Sequence, residues 1–436
     1  MAVNWLSLAQ RALDGPWLQG PLAERLGDEL DPAAAERLAS AVLAHRPRMP
    51  WTEQARFARE LAEIPDVVAA LAPGNGRGPR VLVSPEWRPV WRWPVPEWTT
   101  TEHLAHALDL TPGELAWFAD SRGWLRRHRG GPLPHYRHRW LRTRGGVPRL
   151  LEAPKPLLAE RQRRLLRHLL RAIPTHPAAH GFARGRSVLT FARPHAGKDL
   201  VLRFDLEGFF SCIGAARVAG LMRWAGYPGP VATALTGLMV TATPPPVLRE
   251  APPPAGPGQV DARRRLLTRL AGTHLAQGAP SSPALANLVA YSLDRRLSAL
   301  ARERGLAYTR YADDIALSGD HATSVPALRR AVSRIARDEG FRIRADKTRV
   351  MPSHRRQRLT GLVVNAEPAV ARDEYDTLRA LLHNCARTGP TEQNRTGHPD
   401  FAAHVRGRIA WVAATHPGRG EKLLAQYRAI RWPTPS

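Results

Sequence analysis

Three aspartates carry the strongest chemical signal in the sequence. Asp205 closes the apolar run of "LRFDLEGFF", and Asp313 and Asp314 stand side by side in "TRYADDIALSG". The flanks of the pair read as strands, and Ala312-Asp313 falls where a hairpin would turn. Adjacent carboxylates at a hairpin tip repel each other and gain nothing from an apolar core. A divalent cation removes that cost, and Mg²⁺ prefers oxygen ligands in near-octahedral geometry. Two such ions, ~3.5–4 Å apart, activate an attacking 3′-hydroxyl and stabilise the leaving oxygen of a phosphoryl transfer. Asp205, from a neighbouring strand, would complete the set. An isolated Asp-Asp pair is also how a solvated turn reads, so the surroundings decide.

The elements that must position these acids are legible in part. "KDLVLRFDLEGFF" reads as a strand running into a helix. "SSPALANLVAYSLDRRLSAL" reads as one helix, with Ser282 as N-cap, Pro283 at its first position, and Leu285, Leu288, Leu293, Leu297 and Leu300 as its buried stripe. "VPALRRAVSRIARDEG" is a second helix, closed by Gly340. "PLLAERQRRLLRHLLRAI" is a third, with Leu158, Leu165, Leu169 and Ile173 on one face and five arginines on the other. Residues 122–149, basic and glycine-punctuated, are expected to form a β-hairpin, and the Pro-rich stretch 243–258 a mobile loop. Thr111 and Pro112 open a short helix in the segment after Thr99. In the connector "SPEWRPVWRWPVPEW", Trp87, Trp91, Trp93 and Trp98 either staple the connector to a core or stack on bases.

Composition narrows the class. The chain has 436 residues, 43% of them hydrophobic, enough for several domains and a real core. Lys plus Arg number 64 against 38 acids, a net charge of +26. Such an excess points to a polyanionic partner, nucleic acid above all, the other source being an Arg-rich coding bias. No run of about 18 apolar residues is present, so no membrane span is expected, and no membrane partner is expected either. Only Cys212 and Cys385 occur. That excludes a disulfide framework and a cysteine-rich zinc site, and fits a cytoplasmic location.

Taken together and in order, the motifs resemble those of bacterial reverse transcriptases, most closely the retron type. "YADD" matches the family's central motif, "RFDLEGFF" its first metal motif, and "QGAPSSPALANL" the loop and helix along the incoming nucleotide. "DKTRVM" and "RLTGLVVN" match the later palm and primer-grip motifs. "VPRLLEAPKPLLAERQRRLLRHLL" and "HGFARGRSV" match the fingers. Two retron signatures are altered: Phe191 stands in place of Asn in the element that ends at His195, and Leu359-Thr360-Gly361 stands for Val-Thr-Gly.

The resemblance implies an α+β, right-hand polymerase fold: fingers, a palm with an antiparallel sheet, and a helical thumb, plus a helical N-terminal extension. The expected segments are the extension and connector at 1–96, fingers at 97–200, palm at 201–365 with the 243–258 insertion, and a thumb or RNA-binding domain at 366–436. It implies two Mg²⁺ ions held by Asp205 and Asp313, with the Leu206 carbonyl and Asp314 in support. Phe210 sits where an aromatic ring excludes the 2′-hydroxyl, though an ordinary core ring would read alike. Gln277 and Gly278 approach the base and sugar. Arg149 and Arg144 contact the triphosphate or belong to a solvated face. Lys347 lies near the leaving pyrophosphate. Tyr311, Thr360 and Gly361 meet the primer or template, and His195 either binds RNA or ties a loop. The implied activity is RNA-directed DNA synthesis on a cognate noncoding RNA, primed from an RNA 2′-hydroxyl and serving anti-phage defence. Deoxynucleoside triphosphates are the substrates, the DNA product stays with the RNA, and a separate effector protein is a further expected partner. The alternatives are a non-retron bacterial reverse transcriptase, such as a group II intron type, and a catalytically idle RNA-binding scaffold.

Overall fold

The strand that ends in Asp205 is apolar but for Arg203 because it lies inside a sheet. The structure, a computed structural model, describes residues 4–47, 54–71, 90–120, 123, 125, 134–143, 147–254, 256–320 and 324–433. Its strands are β1 (Tyr136–Leu141), β2 (Arg149–Pro154), β3 (Leu200–Asp205), β4 (Ala307–Tyr311), β5 (Asp314–Gly319), β6 (Arg349–Pro352), β7 (Arg358–Leu359), β8 (Leu362–Val363) and β9 (Ala369–Val370). β3 to β6 form an antiparallel sheet in the order β4-β5-β3-β6. The interior strands β3 and β5 are covered on both faces, so Val201, Leu202 and Phe204, and Ile315, Ala316 and Leu317, are all buried. That is why these strands read as continuous apolar runs rather than as an alternation.

Backbone contacts divide the chain into two compact units. In residues 1–121 with 222–237, five helices between Trp5 and Ala70 bury their own core of Leu8, Leu22, Leu38, Phe57 and Leu61. The connector tryptophans of this unit are staples. Trp91 meets the Tyr227 ring edge-on at 5.0 Å, Trp98 stacks on it at 6.0 Å, and Trp93 meets Trp224 at 4.9 Å. Trp87 lies outside the described residues.

The second unit, 122–221 with 238–436, holds every strand among the described residues. β1 and β2 form the expected basic hairpin, displaced toward the C-terminus because the apolar "RLLEA" supplies its second strand. The helix after it, Pro156–His168, buries Leu158, Ala159, Gln162 and Leu165. The long helix expected from Ser282 breaks at Ala290 into Ser282–Val289 and Tyr291–Glu303, and its N-cap position is Ser281 rather than Ser282. A loop over all of 243–258 is likewise corrected. Pro245–Arg249 form a short helix, Val247 packs with Leu150 and Leu270, and Trp140 Nε1 donates to the Val247 carbonyl at 2.9 Å. Buried Pro244, Val247 and Ala251 pin this proline-rich segment. C-terminal helices Arg372–Thr388, Phe401–Thr415 and Pro417–Arg428 share a core with the sheet, joining Leu378, Val405, Ile409 and Leu423 to Val201 and Ala316. No helix among the described residues is long and apolar enough to cross a membrane.

Candidate active site

Register brings the three acids together. Asp205 is the direct cross-strand partner of Asp314, and Leu206 N donates to the Asp313 carbonyl at 2.9 Å. That bond brackets Asp205 and Asp314 as a non-hydrogen-bonded pair, with Cα atoms ~4.5 Å apart and side chains on one face. Like charges directly opposite destabilise a sheet. Burial raises the Asp205 carboxyl above its ordinary value and the Asp313 charge adds to it, against the pull of Lys347. Burial and then Asp314 raise Asp313, and burial raises Asp314 over the opposing pull of Arg203. Cations attend the group. Arg203 grips Asp314 bidentately, Nε and Nη2 each at 2.8 Å. Lys347 Nζ lies 3.4 Å from Asp205 Oδ2, and Arg344 Nε lies 3.7 Å from its Oδ1.

The donors are all hard oxygens, which suits Mg²⁺. Among the described residues, no three His, Cys, Asp or Glu side chains make up a metal-holding group. Mg²⁺ does not require one, because it takes one or two carboxylates with water and substrate phosphate. With Asp314 paired to Arg203, Asp205 and Asp313 are the two carboxylates that would be left to serve as that pair.

The hairpin tip is fastened from below by residues that motif reading did not single out. Tyr311 pairs with Asp314, which leaves a two-residue loop whose Ala312 has φ +55°. Arg310, fully buried, donates to Asp294 through Nε at 2.7 Å and Nη2 at 2.6 Å, and its Nη1 reaches the Ala312 carbonyl at 2.9 Å and Asn287 Oδ1 at 3.0 Å. Tyr308 Oη donates to the same Asp294 at 2.7 Å. Asn287 Nδ2 donates to the Gly181 carbonyl at 2.7 Å. Any Cβ on Gly181 would fall 2.5 Å from Ala312 N, so only glycine fits under the turn. His195 is wholly buried, its Nδ1 2.7 Å from Ser318 Oγ and its Nε2 2.8 Å from Thr309 Oγ1. Burial lowers its pKa to about 3, so it is a neutral tie between β4 and β5.

Comparison with known proteins follows from this geometry. Residues 157–364 match the family described as "Reverse transcriptase (RNA-dependent DNA polymerase)". The chain is 38% identical to the retron Mx65 reverse transcriptase of Myxococcus xanthus, over 84% of this chain and 79% of that one. The chain belongs to the retron reverse transcriptases. Two further relatives agree. The retron Mx162 enzyme of the same organism is 38% identical over 76% of this chain and 67% of its own length. The Escherichia coli retron Ec86 enzyme is 30% identical over 63% of this chain and 74% of its own. The fold is therefore the α+β polymerase fold, and the protein is an RNA-directed DNA polymerase.

The other expected site residues of this reverse transcriptase fall as follows. Phe210 is half-buried, between Phe209 at 5.6 Å and Phe182 at 6.1 Å. Phe182 is 52% exposed and left-handed at φ +60°, a strained placement for an aromatic residue. Gln277 accepts from Glu152 N at 2.9 Å, and Gly278, at φ +132°, would put a Cβ 3.1 Å from the Glu152 carbonyl. Glu152 is itself buried and bonded to His274 Nε2 at 2.7 Å and Thr243 Oγ1 at 2.8 Å, which fixes the Gln277 loop to β2. Arg149 is exposed at the start of β2, and its charge lowers the Asp313 carboxyl slightly against the larger effect of burial. Tyr311 meets Phe191 edge-on at 5.8 Å. Thr360 (φ +44°) and Gly361 (φ +94°) form the tight turn between β7 and β8, and Thr360 Oγ1 is buried without a hydrogen-bond partner. Arg144 lies outside the described residues.

Proposed function

We propose that the enzyme copies part of one structured noncoding RNA into single-stranded DNA, starting from an RNA 2′-hydroxyl, and that it serves anti-phage defence beside a separate effector. The observation that carries the reading is the placement of Asp205 opposite Asp314, with Asp313 one residue away, in a chain 38% identical to retron enzymes. Asp205 and Asp313, with the Leu206 carbonyl, would hold two Mg²⁺ ions; when bound, these activate the attacking hydroxyl and stabilise the leaving oxygen. Asp314 supports them through its charge while Arg203 fixes its orientation. The Phe210 ring would crowd a ribose 2′-hydroxyl and so select deoxynucleotides. Gln277 and Gly278 would line the base and sugar, and Arg149 and Arg144 would grip the triphosphate. Lys347 would neutralise the departing pyrophosphate or give it a proton. Tyr311, Thr360 and Gly361 would meet the primer strand. The net charge of +26 supplies the attraction to RNA.

The test is to purify the protein with its nucleic acid from cells carrying its operon, digest with RNase, and examine the DNA. A small DNA carrying a 2′,5′-linked ribonucleotide remnant is expected. DNA with an ordinary 3′-linked primer, or none from an active operon, would point to a non-retron reverse transcriptase instead.

A further inference from the structure

A buried charge pair lies under the loop that carries Gln277 and Gly278. β2 turns Leu150 and Glu152 to the same inner face. Leu150 joins Val247 and Leu270 there in a small apolar cluster. Glu152 is instead a carboxylate, and only 1% exposed. Its Oε1 accepts from Thr243 Oγ1 at 2.8 Å and its Oε2 from His274 Nε2 at 2.7 Å. His274 is wholly buried, and its Nδ1 lies 2.8 Å from the Gly272 carbonyl. A carboxylate and a carbonyl both accept, and a neutral imidazole donates from only one nitrogen. The ring is therefore an imidazolium, and Glu152 with His274 is a buried ion pair.

Two further titratable groups face the pair from β1. His138 Nε2 stands 3.7 Å from Glu152 Oε1, buried and without a hydrogen-bond partner among the described residues. Tyr136 Oη accepts from Gln162 Nε2 at 3.0 Å. Burial lowers the His138 pKa, the Glu152 charge opposing it and His274 adding to it, so His138 is neutral. Burial pulls on His274 in the same direction, but the hydrogen bond and charge of Glu152 outweigh it, and the His274 pKa is raised. Stability does not call for such a pair. An apolar side chain at position 152 would extend the Leu150 cluster, and hydrophobic replacements of a buried ion pair are often neutral or stabilising. What the pair adds is direction, since a satisfied polar network specifies one geometry where apolar contact tolerates several.

The segment from His274 to Gly278 is where several parts of the site meet. His274 N donates to the Thr241 carbonyl at 2.8 Å, and Thr241 N donates back at 2.9 Å. Leu275 N donates to the Ile213 carbonyl, and Ile213 N to the Phe210 carbonyl, each at 3.2 Å. The Gln277 carbonyl accepts from Glu152 N, on the strand that Arg149 begins. We propose that Glu152 and His274 are positioning residues: their ion pair holds the Gln277 loop at one height on β2, and so sets how tightly and how selectively the incoming deoxynucleotide is held. Both side chains are buried beneath the loop, so they act through its backbone, keeping Gln277, Phe210 and Arg149 in one frame. This rests on the proposed assignment of those three residues to the nucleotide.

Two measurements on the full-length protein test it. Nitrogen-15 NMR of labelled histidines, with His274→Gln to assign the signal, needs no synthesis. His274 is expected to carry both ring protons at neutral pH and to lose one only above the ordinary histidine range, and Glu152→Gln should bring that loss to lower pH. Synthesis on a primed RNA template gives KM and kcat for the correct deoxynucleotide and for the matching ribonucleotide. Glu152→Gln and His274→Gln should each raise the deoxynucleotide KM about tenfold, the worth of a hydrogen bond to a charged group, with kcat changed less. The parent KM should climb as pH passes through the His274 titration, and Glu152→Gln should move that climb in step with the NMR. Glu152→Met with His274→Leu removes both charges at once, so it stays informative where a single change fails to fold. It should melt near the parent, yet keep the raised KM, reject the ribonucleotide less well and lose the pH-dependent climb. A folded double variant with the parent's KM, discrimination and pH profile overturns the proposal, because the pair would then serve packing alone. So does a neutral His274 ring at neutral pH. Gln277→Ala separates this proposal from the reading beneath it. If it raises KM while the variants of the pair do not, only the positioning role falls; if it leaves KM unchanged, the loop's assignment to the nucleotide falls and takes the positioning role with it.

Discussion

Two groups of acids are buried beside one hairpin turn, linked through Arg310, and are treated in opposite ways. Asp294 is enclosed completely: Arg310 holds both its oxygens and Tyr308 adds a third hydrogen bond. Asp205, Asp313 and Asp314 are also largely buried, but burial raises each above its ordinary carboxylate value, and the charge of one of the others raises it further. The first arrangement has its charge matched and its donors satisfied, so it can only fix geometry. The second leaves negative charge unmatched at the mouth of the sheet, with Lys347 and Arg203 as partial compensation. The difference separates an anchor from a binding site better than burial or net charge does.

The largest expected effect comes from removing the unmatched charge. Asp313→Asn should lower DNA synthesis about a thousandfold or more, the several kcal/mol that metal-assisted charge stabilisation supplies. RNA affinity should persist. In EDTA the same variant should melt about a degree or two higher than the parent, because a repelling carboxylate has been neutralised. The pH dependence has a definite sign. The folded carboxyl is raised, so its contribution favours the fold below the ordinary carboxylate range and is lost as pH climbs through the raised folded value. The stability gap between variant and parent in EDTA should therefore widen from acid toward neutral pH, and Mg²⁺ should close it. A parent that is already the more stable of the two at neutral pH in EDTA would mean that the acids are neutralised by the protein itself.

Next in size is the anchor. Asp294→Ala leaves the fully buried Arg310 guanidinium unpaired, and breaking such a pair costs about 3–5 kcal/mol. Replacing both partners, Asp294→Leu with Arg310→Met, should restore most of that stability, since hydrophobic substitutes for a buried pair are often neutral. Urea midpoints for the two variants test this. The double variant is expected to fold and still synthesise poorly, because the Arg310 bond to the Ala312 carbonyl is gone. Full activity in it would show that the anchor serves folding alone.

The same contrast explains what the sequence could tell. The three clustered acids were legible because they interrupt apolar runs, and "YADD" and "RFD" carry them in short contiguous motifs. Strands β3 and β5 were legible as short apolar runs and the helices with a leucine stripe from their period, while the register of β3 on β5 came only with the structure. The anchor was not, because its partners are 16 residues apart and individually ordinary. Asp294 reads as a surface position in "SLDRR", and Arg310 as a solvated edge residue on β4. One available signal is that Arg310 falls between Thr309 and Tyr311, on the opposite face from both, where a helix must cover it. His195 was ambiguous for a similar reason: whether an imidazole binds RNA or ties strands depends on burial. The break at Ala290 and the pinned Val247 were hidden because each depends on what packs against it.

The smallest effect should come from the joint between the two groups. Ala312 carries Asp313 on one side and takes the Arg310 hydrogen bond on its carbonyl, at a left-handed φ of +55°. A left-handed backbone costs a non-glycine residue roughly 1–2 kcal/mol. Ala312→Gly relieves that cost but also frees the unfolded chain, so stability should move by less than about 1 kcal/mol in either direction. The anchor would still hold the turn through Arg310, since the carbonyl is unchanged. Any loss should appear as a severalfold fall in kcat, reflecting freer rotation of the Asp313 carboxylate, with KM for nucleotide nearly constant. A fall as deep as that of Asp313→Asn would mean that the alanine methyl, rather than Arg310, sets the position of the turn, and the division between anchor and site would then fail at the residue where the two meet.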